Sequence, residues 1–319
     1  MSVDKNARLF EVNTISGETA ESLLSSFAPS VKIAEFCRIA AGGSTSNYKI
    51  VTNSGSAYLL RIYPDNNDHS QMEMAVYSYA KKLINVPEIY YFDESKTTLP
   101  NTYVFMQFIE GITFREYTVS NMTVEKTLIA RIGKSLSLLH NRRYDKTAFL
   151  KTDLSVLQPL GSMYEIYERY LEGISGRHLC VVIKQRIYTL INEREDLLFL
   201  LDGESVLSHG DFNHSNIIID KNCDPWFVDF EYCFSAPRYC DIGKFFRTKD
   251  DFDVTSLRDD FIGGYASVCN TRLSDSWWVL SKLAEIQTLL ALMNREILPE
   301  GWVGEIEKEI DRNMAIVSV

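Results

Sequence analysis

The densest polar stretch in the 319-residue chain is Ser208-His209-Gly210-Asp211-Phe212-Asn213-His214-Ser215-Asn216, and the apolar run Ile217-Ile218-Ile219-Asp220 follows it. Lys221 to Pro225 reads as a turn, and Trp226-Phe227-Val228-Asp229-Phe230-Glu231 as a second apolar strand. A hairpin of this kind returns Asp229 to the end that Asn216 leaves. Asp211 sits five residues before Asn216, on the incoming loop. Two carboxylates and one amide are therefore expected to converge, with no thiol or Lys nearby. That donor set suits magnesium, a hard ion held by one or two carboxylates together with substrate phosphates. It leaves Asp211 free to orient an attacking hydroxyl and accept its proton. Phosphoryl transfer asks a protein for little else beyond positioning and charge. The plainer alternative makes Asp211 and Asn216 turn residues capping local backbone, and Asp229 a polar residue at a strand end. His209 reads as a structural residue bonding the loop, since this chemistry needs no imidazole there. His140, His178 and His214 read as surface or core fillers.

The order His-x-Asp-x-x-x-x-Asn followed by a strand Asp matches the spacing of a kinase catalytic loop and its metal-binding Asp. Taken together, HGDFNHSNIII (His209 to Ile219), VDFE (Val228 to Glu231) and YCDIGKFFR (Tyr239 to Arg247) resemble the aminoglycoside phosphotransferase/choline kinase-like family, in its broad bacterial branch. The resemblance runs from the Gly-Gly stretch near Gly42 to the final helices. It implies an α+β, bilobal protein-kinase-like fold that uses ATP and Mg2+ to phosphorylate a hydroxyl of a small molecule. By the same resemblance Asp211 is the catalytic base, Asn216 and Asp229 are the metal ligands, and Asp241 braces the catalytic loop.

The elements that must position these groups fall into two patterns. Residues 32–110 read as strand-rich, with a hairpin from Asn47–Thr52 to Ala57–Tyr63 turning at Asn53-Ser54-Gly55-Ser56. A helix is expected over Gln71–Leu83, and strands over Glu88–Phe92 and Thr102–Ile109. From Gly111 onward the apolar period is helical, as in Leu128, Ile129, Ile132, Leu136 and Leu139. Helices are expected over 161–173, 177–200, 276–297 and 302–313. The division that follows is an N-terminal nucleotide-binding lobe over 1–106, a hinge over 107–111, and a helical catalytic and substrate-binding lobe over 112–319.

In the small lobe the resemblance places Arg61 where relatives carry a phosphate-gripping Lys, with Glu73 on the next helix as its partner. Arg keeps the charge and adds a planar fork. The small residues Gly42, Gly43, Ser44 and Thr45 are candidates to cover phosphates, although a plain turn explains them too. The Gln107 carbonyl and the Ile109 N–H would bond adenine, with Met106 behind the ring.

For the acceptor, Glu231 and the acidic stretches Asp250-Asp251-Phe252-Asp253 and Asp259-Asp260 could attract an amine-bearing substrate, while charged runs are more often solvated faces. Trp277 and Trp278 read as core. The formal net charge of −10 and the isoelectric point near 5.1 argue against nucleic acid and anionic membrane as partners. No apolar run approaches the ~20 residues a bilayer demands, and the N-terminus has no apolar signal segment, so a cytoplasmic protein is expected. The six scattered cysteines read as reduced thiols. The function expected from sequence is an ATP- and Mg2+-dependent small-molecule kinase of the aminoglycoside phosphotransferase type. The alternatives are a metabolite kinase of choline, homoserine or thiosugar type, and a nucleotide-binding module without transfer activity.

Overall fold

The computed structural model describes residues 13–39, 45–65, 69–120, 124–247 and 254–318. Gly42, Gly43, Ser44 and the stretch Asp250 to Asp253 lie outside the described residues. The small lobe opens with helix α1 (Gly17–Ser25). Strands β1 (Ile33–Ile39), β2 (Ser46–Thr52) and β3 (Ala57–Ile62), helix α2 (Ser70–Ala80), and strands β4 (Ile89–Asp93) and β5 (Tyr103–Gln107) follow it. The five strands form one antiparallel sheet in the order β1-β2-β3-β5-β4. The expected hairpin and the helix after it are present with bounds close to those read from sequence; α1 is an addition.

Strand β5 explains how this sheet holds two cores. Side chains alternate across a strand, so Tyr103 and Phe105 join Leu23, Leu24, Tyr48, Ile50, Leu60 and Ile62 on one face. Val104 and Met106 point to the other face, where Val76 and Tyr77 of α2 continue into the core of the larger lobe. Both faces are buried, which is why the run Tyr103-Val104-Phe105-Met106 shows no polar alternation.

The larger lobe continues with β6 (Gly111–Thr113), α3 (Phe114–Ser120), α4 (Lys126–His140), β7 (Ala148–Leu150), β8 (Val156–Pro159), α5 (Met163–Glu172), α6 (Ile174–His178), α7 (Val181–Glu193) and α8 (Glu195–Asp202). After these come β9 (Ser205–Ser208), β10 (Ile217–Asp220), β11 (Pro225–Phe227), β12 (Phe234–Pro237), α9 (Tyr239–Phe245), α10 (Arg258–Ala266), α11 (Trp277–Leu292) and α12 (Trp302–Val317). The single helix expected over 177–200 is corrected: the chain turns extended at Leu179 and Cys180 and leaves helical geometry again at Arg194. Apolar periodicity runs across those breaks because α7 and α8 bury Ile187, Leu190, Leu197 and Leu201 in the same core. The architecture is an α+β, bilobal, kinase-like one, and the cysteines are free thiols. Among the described residues no helix is long and apolar enough to cross a membrane.

Candidate active site

Strand β10 leaves a single 3₁₀ turn, His214–Asn216, and pairs antiparallel with β11, Ile217 opposite Phe227. The turn between them is tied by Asp220, whose carboxylate accepts from the Asn222 and Asp224 N–H groups and from Trp226 Nε1. Beyond the pair, the Val228 N–H donates to the Asn216 carbonyl at 3.1 Å. Asp229 therefore arrives beside Asn216, as the hairpin predicts. Strand β6 adds to the other edge of β10, so the segment entering from the small lobe is stitched to the strand that carries this site.

Asp229 has φ +72°, a left-handed conformation rare outside Gly and typical of constrained functional positions. Its N–H donates to the Tyr77 hydroxyl at 3.1 Å. Its carboxylate accepts from Arg61 Nη1 at 3.0 Å, and the same Nη1 donates to Glu73 Oε1 at 2.6 Å. Tyr63 donates to the second Glu73 oxygen at 2.6 Å. Arg61 and Glu73 are both buried. Burial works against the Arg61 charge, but Glu73 and Asp229 outweigh it and hold the guanidinium firmly protonated. The Arg61–Glu73 pairing expected from sequence is thus present, extended by Asp229.

The catalytic-loop segment hangs from Asp241 of α9. Its two carboxylate oxygens accept from the His209 N–H at 2.7 Å and the Gly210 N–H at 3.0 Å. His140 Nε2 lies 2.9 Å from the same carboxylate, with the Tyr265 hydroxyl on its other ring nitrogen at 2.8 Å. Burial raises the Asp241 carboxyl, yet the hydrogen bonds and positive partners prevail and keep it below the ordinary range. Gly210 has φ +76°, and a Cβ there would run into the Tyr232 carbonyl oxygen, so the loop takes only glycine at this point. His209 donates through Nε2 to the Val228 carbonyl at 3.1 Å, fastening the loop to the strand that brings Asp229.

Asp211 lies at the loop's mouth. Asn216 Nδ2 donates to its Oδ2 at 2.9 Å and Lys244 Nζ to its Oδ1 at 3.1 Å. Burial would raise this carboxyl, but the Lys244 ammonium, and after it His209, bring it down to about 2. Lys244 corrects the sequence reading, which expected no Lys near the carboxylates. A signal for it exists: Asp241 braces the loop, and the residue three further along a helix lies on the same face.

These groups open into one cleft of about 860 Å³ between the lobes. Arg61, Met106, Gln107, Ile109, Asp211, Asn216, Asp229 and Lys244 all line it. Its apolar walls are Ile39, Leu59, Met106, Phe108, Ile218 and Val228, a slot suited to a flat ring. Glu73 stands behind Arg61, and Glu231 is 3% exposed and outside the lining. Trp277 and Trp278 pack against the large-lobe core.

The family description "Phosphotransferase enzyme family" matches residues 35–278. No curated protein sequence matches the chain. Among solved structures, aminoglycoside phosphotransferase APH(4)-Ia aligns with a TM-score of 0.67 at 12% identity, over 94% of this chain and 99% of its own. A thermostable mutant of that enzyme, in a ternary complex with ADP and hygromycin B, aligns at 0.66 with 10% identity, over 94% and 99%. Plasmodium vivax ethanolamine kinase aligns at 0.59 with 18% identity, over 92% and 86%.

Proposed function

The chain belongs to the phosphotransferase enzyme family, and we propose that it transfers the γ-phosphate of ATP, with Mg2+, to a hydroxyl of a small molecule. The observation that carries this reading is that Asp211, Asn216 and Asp229 line one cleft together with the apolar residues Leu59, Met106 and Phe108. The nucleotide is bonded at the Gln107 carbonyl and the Ile109 N–H, and Arg61 faces its phosphates. That the structural relative is in complex with ADP supports a nucleotide as the phosphate donor.

Asn216 and Asp229 fit a magnesium ion. One amide and one carboxylate supply hard oxygen donors beside Asp211, and phosphate oxygens complete such sites. The ion supplies charge that offsets the developing charge of the transferred group. Asp211 is ionised across the neutral range, held by Lys244 and Asn216, and it accepts the hydrogen bond of the acceptor hydroxyl and then its proton. His209 and Asp241 fix the loop from behind.

The test follows ADP release with ATP, with and without Mg2+, over a panel of hydroxylated acceptors, beside nucleotide binding by thermal shift. Mg2+-dependent turnover that is lost in Asp211→Asn supports the reading. Nucleotide binding without turnover for any acceptor defeats it.

A further inference from the structure

Lys244, in the last turn of α9, and Arg247, two residues beyond that helix, both line the cleft. Each is held from behind. Lys244 Nζ donates to the Gly210 carbonyl at 2.8 Å as well as to Asp211. Arg247 Nε is paired with Glu285, which is fully buried, and its Nη2 reaches Thr288 Oγ1 at 3.4 Å. Arg115, on α3, lines the same cleft half-buried and makes no ion pair among the described residues. The 3₁₀ turn that presents Asn216 joins the two cationic walls: Phe114 of α3 stacks on Phe245 of α9, and the His214 ring packs on both.

Among the described residues, the carboxylates that line the cleft are Asp211, Asp229 and Glu116, and each is already engaged, Asp229 by Arg61. Asp211 takes Lys244 and Asn216. Glu116 Oε2 accepts from the Thr113 N–H and hydroxyl, both at 2.8 Å, closing the first turn of α3. Asp259 and Asp260 sit in the first turn of α10 and do not line the cleft, and Glu231 is buried away from it. An ammonium brought to this wall meets Lys244, Arg247 and Arg115. An anion brought beside a triphosphate is repelled unless fixed cations receive it, and here such cations stand. Guanidinium forks also match a carboxylate or phosphate in two places at once.

We propose that the acceptor is a hydroxylated anion, a small molecule whose carboxylate or phosphate monoester seats against Arg115 and Arg247. Its hydroxyl faces Asp211 as phosphoryl transfer in this cleft requires, so this substrate class rests on that reading. Lys244 screens the incoming charge from Asp211.

Binding decides the matter without turnover. Gluconate and glycerol phosphate (the acids), glucitol and glycerol (neutral), and glucamine and ethanolamine (amines) are titrated calorimetrically into the full chain, with and without Mg2+ and the non-hydrolysable analogue AMP-PNP. At least one acid is expected to bind ten-fold or more tightly than its neutral and amine counterparts. The two acids tell carboxylate from phosphate. Arg115→Ala is expected to weaken the acid about ten-fold and leave the neutral compound unchanged, with Arg115→Lys recovering part of the loss. Failure of both acids to bind, or equal or tighter binding of the amines, overturns the proposal. Absence of AMP-PNP binding counts instead against the kinase reading, while the acid titration without nucleotide still scores the charge of the site.

Discussion

The Arg61 guanidinium lies 3.0 Å from the Asp229 carboxylate, although 168 residues separate the two in the chain. Arg61 belongs to the small-lobe sheet and Asp229 to the hairpin end of the larger lobe, so one buried cation joins the lobes at the back of the cleft. The same Nη1 reaches Glu73 at 2.6 Å, which ties α2 into the arrangement. Tyr77, also on α2, takes the Asp229 N–H. The position of Asp229 is therefore set as much by the small lobe as by its own strand.

Removing that cation should cost stability. In Arg61→Met, Glu73 keeps the Tyr63 hydroxyl and the Phe230 backbone N–H but loses the guanidinium that pairs its charge in a fully buried place. Breaking one partner out of a buried pair typically costs about 3–5 kcal/mol, and urea unfolding is expected to show a loss of that order. Arg61→Lys should lose less, because the charge remains. Wild-type stability in Arg61→Met would show that the pair contributes nothing.

Asp211→Asn keeps the shape and the Asn216 and Lys244 neighbours but removes the proton acceptor. Turnover is expected to drop roughly 10²–10⁴-fold, the usual range for losing a positioned acid or base. Nucleotide binding by thermal shift should stay within about two-fold of wild type, since the adenine slot is untouched. Turnover within a factor of a few of wild type would take Asp211 out of the chemistry.

Stability should fall on mild acidification, and His140 gives the direction. Its ring is buried against Asp241 and Tyr265, with Arg238 and His209 also acting on it; burial depresses its pKa more than Asp241 restores it. The folded protein then binds its proton at lower pH than the unfolded chain, whose ordinary value is about 6.5. Below that value the unfolded state takes up the extra proton first, so stability is present above it and is lost as pH falls towards the folded pKa. Asp241, also held low, adds a loss of the same sign when pH reaches the carboxylate range. Unfolding free energy measured between pH 7.5 and 5.5 should decline by up to about 1.4 kcal/mol per pH unit from this one proton. His140→Gln should be less stable overall and flatter over that range. An unchanged slope in that variant would remove His140 as the source.

Much of this site was legible because its parts are local. Asn216, the turn at Asp220 and the return to Asp229 form one hairpin, and hairpin register follows from the chain itself. Arg61 and Glu73 were placed by the family resemblance, matched onto a small-lobe strand and the helix that follows it. What escaped depended on packing between distant elements. Lys244 reaches Asp211 because α9 is clamped under the loop through Asp241, and Arg247 is aimed by Glu285 of α11. The cations lining the cleft were hidden for the same reason: acidic runs stand out in a sequence, whereas Arg115, Lys244 and Arg247 become neighbours only when their elements pack.

The helix pair behind the catalytic loop offers a last test, with opposite signs at adjacent glycines. Helices α4 and α10 approach closely: a Cβ on Gly264 would drive into the Ala130 carbonyl, while a Cβ on Gly263 meets nothing within 4 Å. Gly263 is exposed and helical, so Gly263→Ala removes only backbone freedom from the unfolded chain and should stabilise by about 0.5–1 kcal/mol. Gly264→Ala must push the helices apart, a kind of overpacking that costs about 1–3 kcal/mol. Because Tyr265 and His140, on these same helices, carry the support of Asp241, Gly264→Ala should also lower turnover. Thermal unfolding of both variants, with activity measured well below the transition, checks the pair. Equal shifts of one sign would mean that the close approach does not set the spacing of these helices.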